Sequence, residues 1–236
     1  LRPIDEQGYV ILAVNSDKVD YLDCARTLTK TIKRWDPGAK VCLITDAKQS
    51  NDPVYDHYRV IDNVDRENPW ANDWQVFKNS PFRETIKLEA DMLIVSDISH
   101  WWTLFRHRDV VVSTDANNLP DVYNAITYWR LSLTAREFFM LVRDIFANWP
   151  QFRQLLKFAP ETADTDLVYA MAAEIMGVER VTLPFVSYPK IVHMKRHHAG
   201  TETEHWGREL VWEYSDWRLR INTVAQWGAF HYGRGW

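Results

Sequence analysis

The sequence contains no Gly-x-Gly-x-x-Gly and no Gly-x-x-x-x-Gly-Lys-Ser/Thr, so it lacks both the dinucleotide cradle and the P-loop, and a phosphorylated ligand would need a cation instead. Cysteine is scarce. Cys24 and Cys42 each fall in an apolar stretch, which points to buried free thiols rather than a disulfide and makes a cytoplasmic setting the expectation. Long apolar runs are missing too. Tyr9 to Val14 is far too short to cross a bilayer and no basic leader precedes it, so neither a membrane span nor secretion is expected. No charge sign dominates: a net charge of −4 argues against a broadly basic, non-specific nucleic-acid binder, although a local patch can hide within such a total. Internal repeats and low-complexity segments are absent.

What is present suits a folded globular protein. The 236 residues, 46% of them hydrophobic, fit one large domain (1–190) with an appended C-terminal piece (191–236), the boundary falling where loop-like composition takes over. Twelve tryptophans and an aromatic content of 14% imply that most rings are core, with some lining a pocket or meeting a ring-shaped ligand.

The first half alternates strands and helices. Gly8–Asn15 reads as a buried strand, and Ser16 or Asp17 offers an N-cap. Val19, Leu22, Ala25, Leu28, Ile32 and Trp35 then form one apolar helical stripe, which Pro37-Gly38 stops. Lys40–Asp46 is a second, continuously apolar strand, as expected for a parallel strand covered on both faces. A right-handed βαβ unit follows, with Asn15 and Asp46 at neighbouring carboxyl ends, the expected rim of a nucleotide pocket. Tyr58–Asp62 reads as a short third strand, and Trp70, Trp74 and Phe77 suggest an amphipathic helix ending near Asn79-Ser80-Pro81.

Two carboxylates then interrupt an otherwise strand-like stretch, Thr85–Asp97. Strand geometry aims Glu89 and Asp91 the same way with only Ala90 between them. Like charges so placed repel unless a divalent cation lies between them, and hard oxygen ligands suit Mg²⁺, Mn²⁺ or Ca²⁺. The alternative is that they cap a turn at a strand end. Asp109–Asp115 is another short strand, whose Asp115 either faces the same rim or sits in the polar turn that continues through Asn117-Asn118-Leu119-Pro120.

The second half adds polar groups. Val122–Trp129 is strand-like, with Asn124 either a ligand contact or an edge asparagine. Thr134-Ala-Arg-Glu137 reads as a capping box opening a helix to about Trp149. Asp164-Thr165-Asp166 opens another helix that Gly177 closes, and acids are favoured there by the helix dipole alone. Val192–His198 is dense in metal-capable side chains, of which His193 is the candidate ligand. From Trp217 onward Arg218, Arg220 and Arg234 occur with no acid, so the tail is locally basic.

Taken together these features resemble the nucleotide-sugar glycosyltransferases of the GT-A fold, in the branch of glycogenin and the bacterial galactosyltransferases. The resemblance runs from about Gly8 to Lys195 on short motifs. It implies a Rossmann-like, mixed and mainly parallel sheet flanked by helices. Ala13-Val14-Asn15 and Tyr21 would meet the uridine. Leu88-Glu89-Ala90-Asp91 matches the family's Leu-Asp-Ala-Asp metal motif, with Glu in the first acidic place and so one methylene more in that arm. Asn124-Ala125 resembles the segment that contacts the sugar, without its glycine, and Asp164-Thr165-Asp166 the Asp-Gln-Asp near the reacting carbon. His193-Met194-Lys195 resembles the late histidine that completes the metal site and a lysine that meets the diphosphate. Lys87 and Asp46 are counted with the donor contacts.

The resemblance implies Mn²⁺ or Mg²⁺ as cofactor and a UDP-sugar as donor, with Asp166, Asp164 and Asp115 as candidate catalytic acids. Ser80–Asp91 is also similar to small bacteriophage glycosyltransferases, some of which modify hydroxymethylated bases in DNA, and this places the protein in a host cytoplasm. With the basic tail and Trp101, Trp102 or Trp236 as stacking surfaces, DNA is the first-ranked acceptor, ahead of protein or glycan. Two rivals stand beside a transferase: a metal-dependent phosphoester hydrolase, and a catalytically silent sugar- or nucleic-acid-binding protein on the same fold.

Overall fold

The computed structural model describes residues 3–16, 20–48, 52–94, 97–114, 122–157 and 159–181, together with the short strands at 192–193, 212–215, 218–221, 224–225 and 229–231. The first half runs β1 (Asp5–Leu12), α1 (Tyr21–Trp35), β2 (Val41–Thr45), β3 (His57–Val60), a 3₁₀ turn (Pro69–Asn72), α2 (Gln75–Asn79), β4 (Phe82–Glu89), β5 (Met92–Ile94), α3 (His100–Phe105) and β6 (Val110–Thr114). It continues as β7 (Val122–Arg130), α4 (Leu133–Ala147), α5 (Trp149–Phe152), α6 (Thr165–Met176), α7 (Val178–Val181), β8 (Val192–His193), β9 (Trp212–Ser215), β10 (Arg218–Ile221), β11 (Val224–Ala225) and β12 (Ala229–His231).

Six strands form the central sheet in the order β3-β2-β1-β4-β7-β6. The first four are parallel, and β7 runs antiparallel to both β4 and β6, which is the mixed, mainly parallel α/β sheet expected. The unbroken apolar strands have a direct cause, because both faces of the sheet are covered. Tyr9, Ile11, Ile86 and Leu88 pack with α1 and α3 on one side. Val10, Cys42 and Val112 pack with α4 and α6 on the other. Two further three-stranded sheets have the orders β11-β10-β9 and β5-β12-β8. The second joins strands from either side of residue 190. Cys42 is buried and Cys24 partly so, both as free thiols. Among the described residues no helix is long and apolar enough to cross a membrane.

Local chemistry moves three expected boundaries. Asp20, not Ser16 or Asp17, caps α1, because its carboxylate accepts from the Leu22 and Asp23 amides at 3.1 Å each. Ser132, not Thr134, caps α4 through a 3.1 Å bond from the Ala135 amide. The Trp70–Phe77 stretch is a 3₁₀ turn followed by α2 rather than one helix. There the Asn72 side chain accepts from the Asp65 amide at 2.8 Å and donates to the Asp65 and Pro69 carbonyls at 2.8 and 3.0 Å, holding the preceding loop against the turn.

Gly8 is required by packing. A methyl group there would lie 2.4 Å from the ring of Phe82, which is itself held edge-on to His57. Gly8→Ala is therefore expected to destabilise the protein by about 1–3 kcal/mol through overpacking. A lower denaturant midpoint with an unchanged slope checks this; an unchanged midpoint would mean that Phe82 swings away freely.

Candidate functional site

In open α/β sheets ligands bind outside the carboxyl ends of the strands, where successive connections leave in opposite directions. Here that point lies between β1 and β4, since the chain passes from β1 through α1 to β2 on one side while β4 pairs on the other. Leu12 stands opposite Glu89, and the Ala13 amide donates to the Ile44 carbonyl at 2.9 Å. Ala13, Asp46 and Glu89 thus occupy three adjacent strand ends.

Glu89 is the last residue of β4, whereas Ala90 and Asp91 form the turn into β5. The two acids therefore do not share one strand face as the residue alternation implied. They share an edge, both half-buried, around an Ala90 that is 5% exposed. Among the described residues no group of three or more His, Cys, Asp or Glu is poised to hold a metal ion, so a cation at this turn would need a ligand beyond the carboxylate pair.

Backbone pairing shows where one can come from. β12 pairs with β5 and sets His231 opposite Met92, the residue after Asp91; β8 pairs with β12 and sets His193 beside His231. Two histidine positions, not one, are brought next to the acidic turn. His231 was missed in the sequence because its place depends on a strand pairing that no local periodicity reports. The motif signal in its own stretch, a histidine between Phe230 and Tyr232 followed by Gly233, was the one available cue.

The β1–α1 side of the crevice is a tied loop. The Asn15 side chain accepts from the Leu22 amide at 3.0 Å and donates to Asp20 at 3.0 Å, so both residues hold the start of α1. The Asp23 amide foremost, then the Asn15 side chain, hold the Asp20 carboxyl below its ordinary range. Tyr21 opens α1 and packs partly buried against the adjoining core. Asp46 accepts from Arg66, which reaches over from the loop that leaves β3.

On the opposite side stands α6. Asp164 is its N-cap, accepting from the Leu167 amide at 2.8 Å, and Asp166 lies in its first turn. The Asn68 side chain donates to the Ala163 carbonyl at 3.3 Å, which ties the start of α6 to the loop at the carboxyl edge of the sheet. Asn124 lies on β7 two residues before Ile126, the partner of Leu88, so its backbone is at the Glu89 end.

Other expectations separate. Lys87 is 2% exposed, with its ammonium 2.7 Å from Asp73 beneath the crevice. Trp101 and Trp102, expected as stacking surfaces, are core residues of α3 at 4% and 6% exposure and offer no face to a base. Asp115, Lys195, Trp236 and the Asn117–Pro120 turn lie outside the described residues.

No protein-family model and no curated sequence matches this chain. Solved structures do. The galactosyltransferase LgtC, determined with donor and acceptor sugar analogs, aligns at 12% identity over 98% of this chain and 88% of its own, with a TM-score of 0.58. The apo form of the glycosyltransferase GlyE of Streptococcus pneumoniae TIGR4 aligns at 9% identity over 97% of this chain and 54% of its own, with a TM-score of 0.58. A second GlyE structure gives 9%, 76%, 46% and 0.54 for the same quantities. This chain spans about half the length of GlyE. At such identities the likeness is one of architecture, and the architecture is that of GT-A-like glycosyltransferases.

Proposed function

We infer that this chain is a metal-dependent glycosyltransferase that moves a sugar from a UDP-sugar to an acceptor hydroxyl. The observation that carries the reading is the half-buried Glu89–Asp91 pair on the edge where β1 and β4 diverge, on a sheet whose likeness is to sugar-transferring enzymes. Such a donor set would suit Mn²⁺ or Mg²⁺: two hard oxygen donors on either side of Ala90, with the backbone positions of His193 and His231 near that turn in the β5-β12-β8 ladder. A bound ion of this kind supplies Lewis-acid stabilisation of the charge that a nucleoside diphosphate carries away.

The chain's own groups divide the remaining work. Asn15 and Tyr21 meet the nucleoside at the β1–α1 loop, and Lys195 meets the diphosphate. Asp164 fixes the start of α6, so in an inverting reaction taking the proton from the acceptor falls to Asp166 or Asp115, and in a retaining one to the leaving phosphate. For the acceptor the hydroxymethyl group of a modified DNA base is retained as the first choice, supported now by Arg218, Arg220 and Arg234 and no longer by Trp101 or Trp102. A sugar acceptor is the second, on the strength of the analog bound in LgtC.

The test is incubation with Mn²⁺ and a panel of UDP-sugars, with hydroxymethylated DNA or with free glycans. Metal-dependent release of UDP and mass added to nucleosides or glycan support the reading; phosphoester cleavage without sugar transfer would replace it with the hydrolase. His193→Ala and His231→Ala, compared by Mn²⁺ titration, identify the completing ligand. The variant of the ligand is expected to bind Mn²⁺ roughly 10–100-fold more weakly. Equal, small effects from both would leave the carboxylates without a histidine partner.

A further inference from the structure

Lys87 and Asp73 form an ion pair at 2.7 Å with side chains only 3% and 7% exposed. The Tyr169 hydroxyl donates to the other oxygen of the Asp73 carboxylate, and the Lys87 ammonium stands 6.0 Å from the centre of the Tyr169 ring. Three elements meet in this cluster: β4, the segment closing the 3₁₀ turn, and α6. Around it the layer holds apolar residues such as Val10, Phe138, Val168 and Ala172, and the buried Thr127 stands opposite Lys87 on β7.

Stability does not account for such a group, because apolar residues of similar volume generally do as well as a buried pair. Its place in the fold does. Lys87 lies two residues before Glu89 on the same face of β4, roughly 6.6 Å along the strand. Tyr169 lies three residues after Asp166, roughly 4.5 Å along the helix. Apolar contacts let a helix slide on a sheet, whereas hydrogen bonds and an ion pair at fixed length do not. The Asn68 bond to Ala163 braces the same helix from above.

We propose that Lys87, Asp73 and Tyr169 are positioning residues, a buried polar clamp that sets the separation between the Glu89-Ala90-Asp91 turn and the first turn of α6. The proposal builds on the glycosyltransferase reading, in which those two segments hold the diphosphate and face the reacting carbon. All three are buried, at 2%, 5% and 0% exposure, and act through the segments they join. Misplacing catalytic groups by about 1 Å costs rate by up to about a hundredfold while leaving binding intact.

Tyr169→Phe is the discriminating variant, since it removes one hydroxyl and leaves Lys87 and Asp73 paired. Mn²⁺ affinity and donor KM are expected to stay within about twofold of wild type while kcat falls about tenfold or more. The all-apolar variant Lys87→Met/Asp73→Leu/Tyr169→Phe is expected to fold and to show the same loss. Amide hydrogen exchange at residues 165–168 reads the clamp without any turnover, and is expected to quicken about tenfold in both variants. Unchanged kcat and unchanged exchange in folded Tyr169→Phe would overturn the proposal, as would an activity loss that only tracks the unfolded fraction. If wild type turns over no donor, the glycosyltransferase reading falls, and the exchange measurement alone then decides the clamp.

Discussion

Glu89→Ala and Asp91→Ala are each expected to lower metal-dependent turnover by roughly 10³-fold, equivalent to about 4 kcal/mol of barrier, with the fold intact. The size follows from what the pair does. Removing either carboxylate leaves one hard oxygen on the sheet edge, and the ion that would neutralise the departing diphosphate is lost or misplaced. Stability should be spared, because Glu89 ends its strand and Asp91 lies in a turn, both only half-buried. Thermal unfolding beside a donor-turnover assay separates the two effects. Glu89→Asp is the informative partner variant: it shortens the arm by one methylene and is expected to keep at least about a tenth of the activity, since it keeps a hard carboxylate donor at the same strand end. Unaltered turnover in both alanine variants would show that the pair merely finishes a strand.

Asp73→Ala is expected to cost roughly 3–5 kcal/mol of stability, because it breaks the buried ion pair with Lys87 and removes the carboxylate that accepts from the Tyr169 hydroxyl. That is a large share of the roughly 5–15 kcal/mol that holds a typical domain folded, so the variant should be partly unfolded at ambient temperature. The all-apolar triple variant is expected to recover to within about 1–2 kcal/mol of wild type, which makes the three sites strongly non-additive. Urea denaturation of wild type, single and triple variants measures this directly. Additive losses would mean that the three side chains act separately.

Much of the fold was legible because its signals are local. The apolar runs of β1 and β2 are covered on both faces, the stripe from Leu22 to Trp35 lies along α1, and Gly177 closes α6 with a backbone angle φ of 91°. Glu89 and Asp91 stood out because charge in an apolar stretch is conspicuous. What stayed hidden depends on partners distant in the chain. The burial of Lys87 is set by Asp73, the core position of Trp102 by its packing beside Tyr9 and Tyr128, and the place of His231 by β5. Caps were misread where two candidates competed. Asp20 prevails over Ser16 and Asp17 because its carboxylate reaches two amides at once.

The ladder β5-β12-β8 has a consequence for biogenesis. Its middle strand is contributed by residues 229–231, while its first follows directly on the acidic turn, so this edge of the cleft forms only when segments far apart in the sequence meet. Closing so long a loop is slow compared with forming the α1 and β2 neighbourhood. The main sheet needs none of residues 229–231, so it can form while this edge is still open, and on the glycosyltransferase reading metal binding and sugar transfer would wait for the β12 pairing.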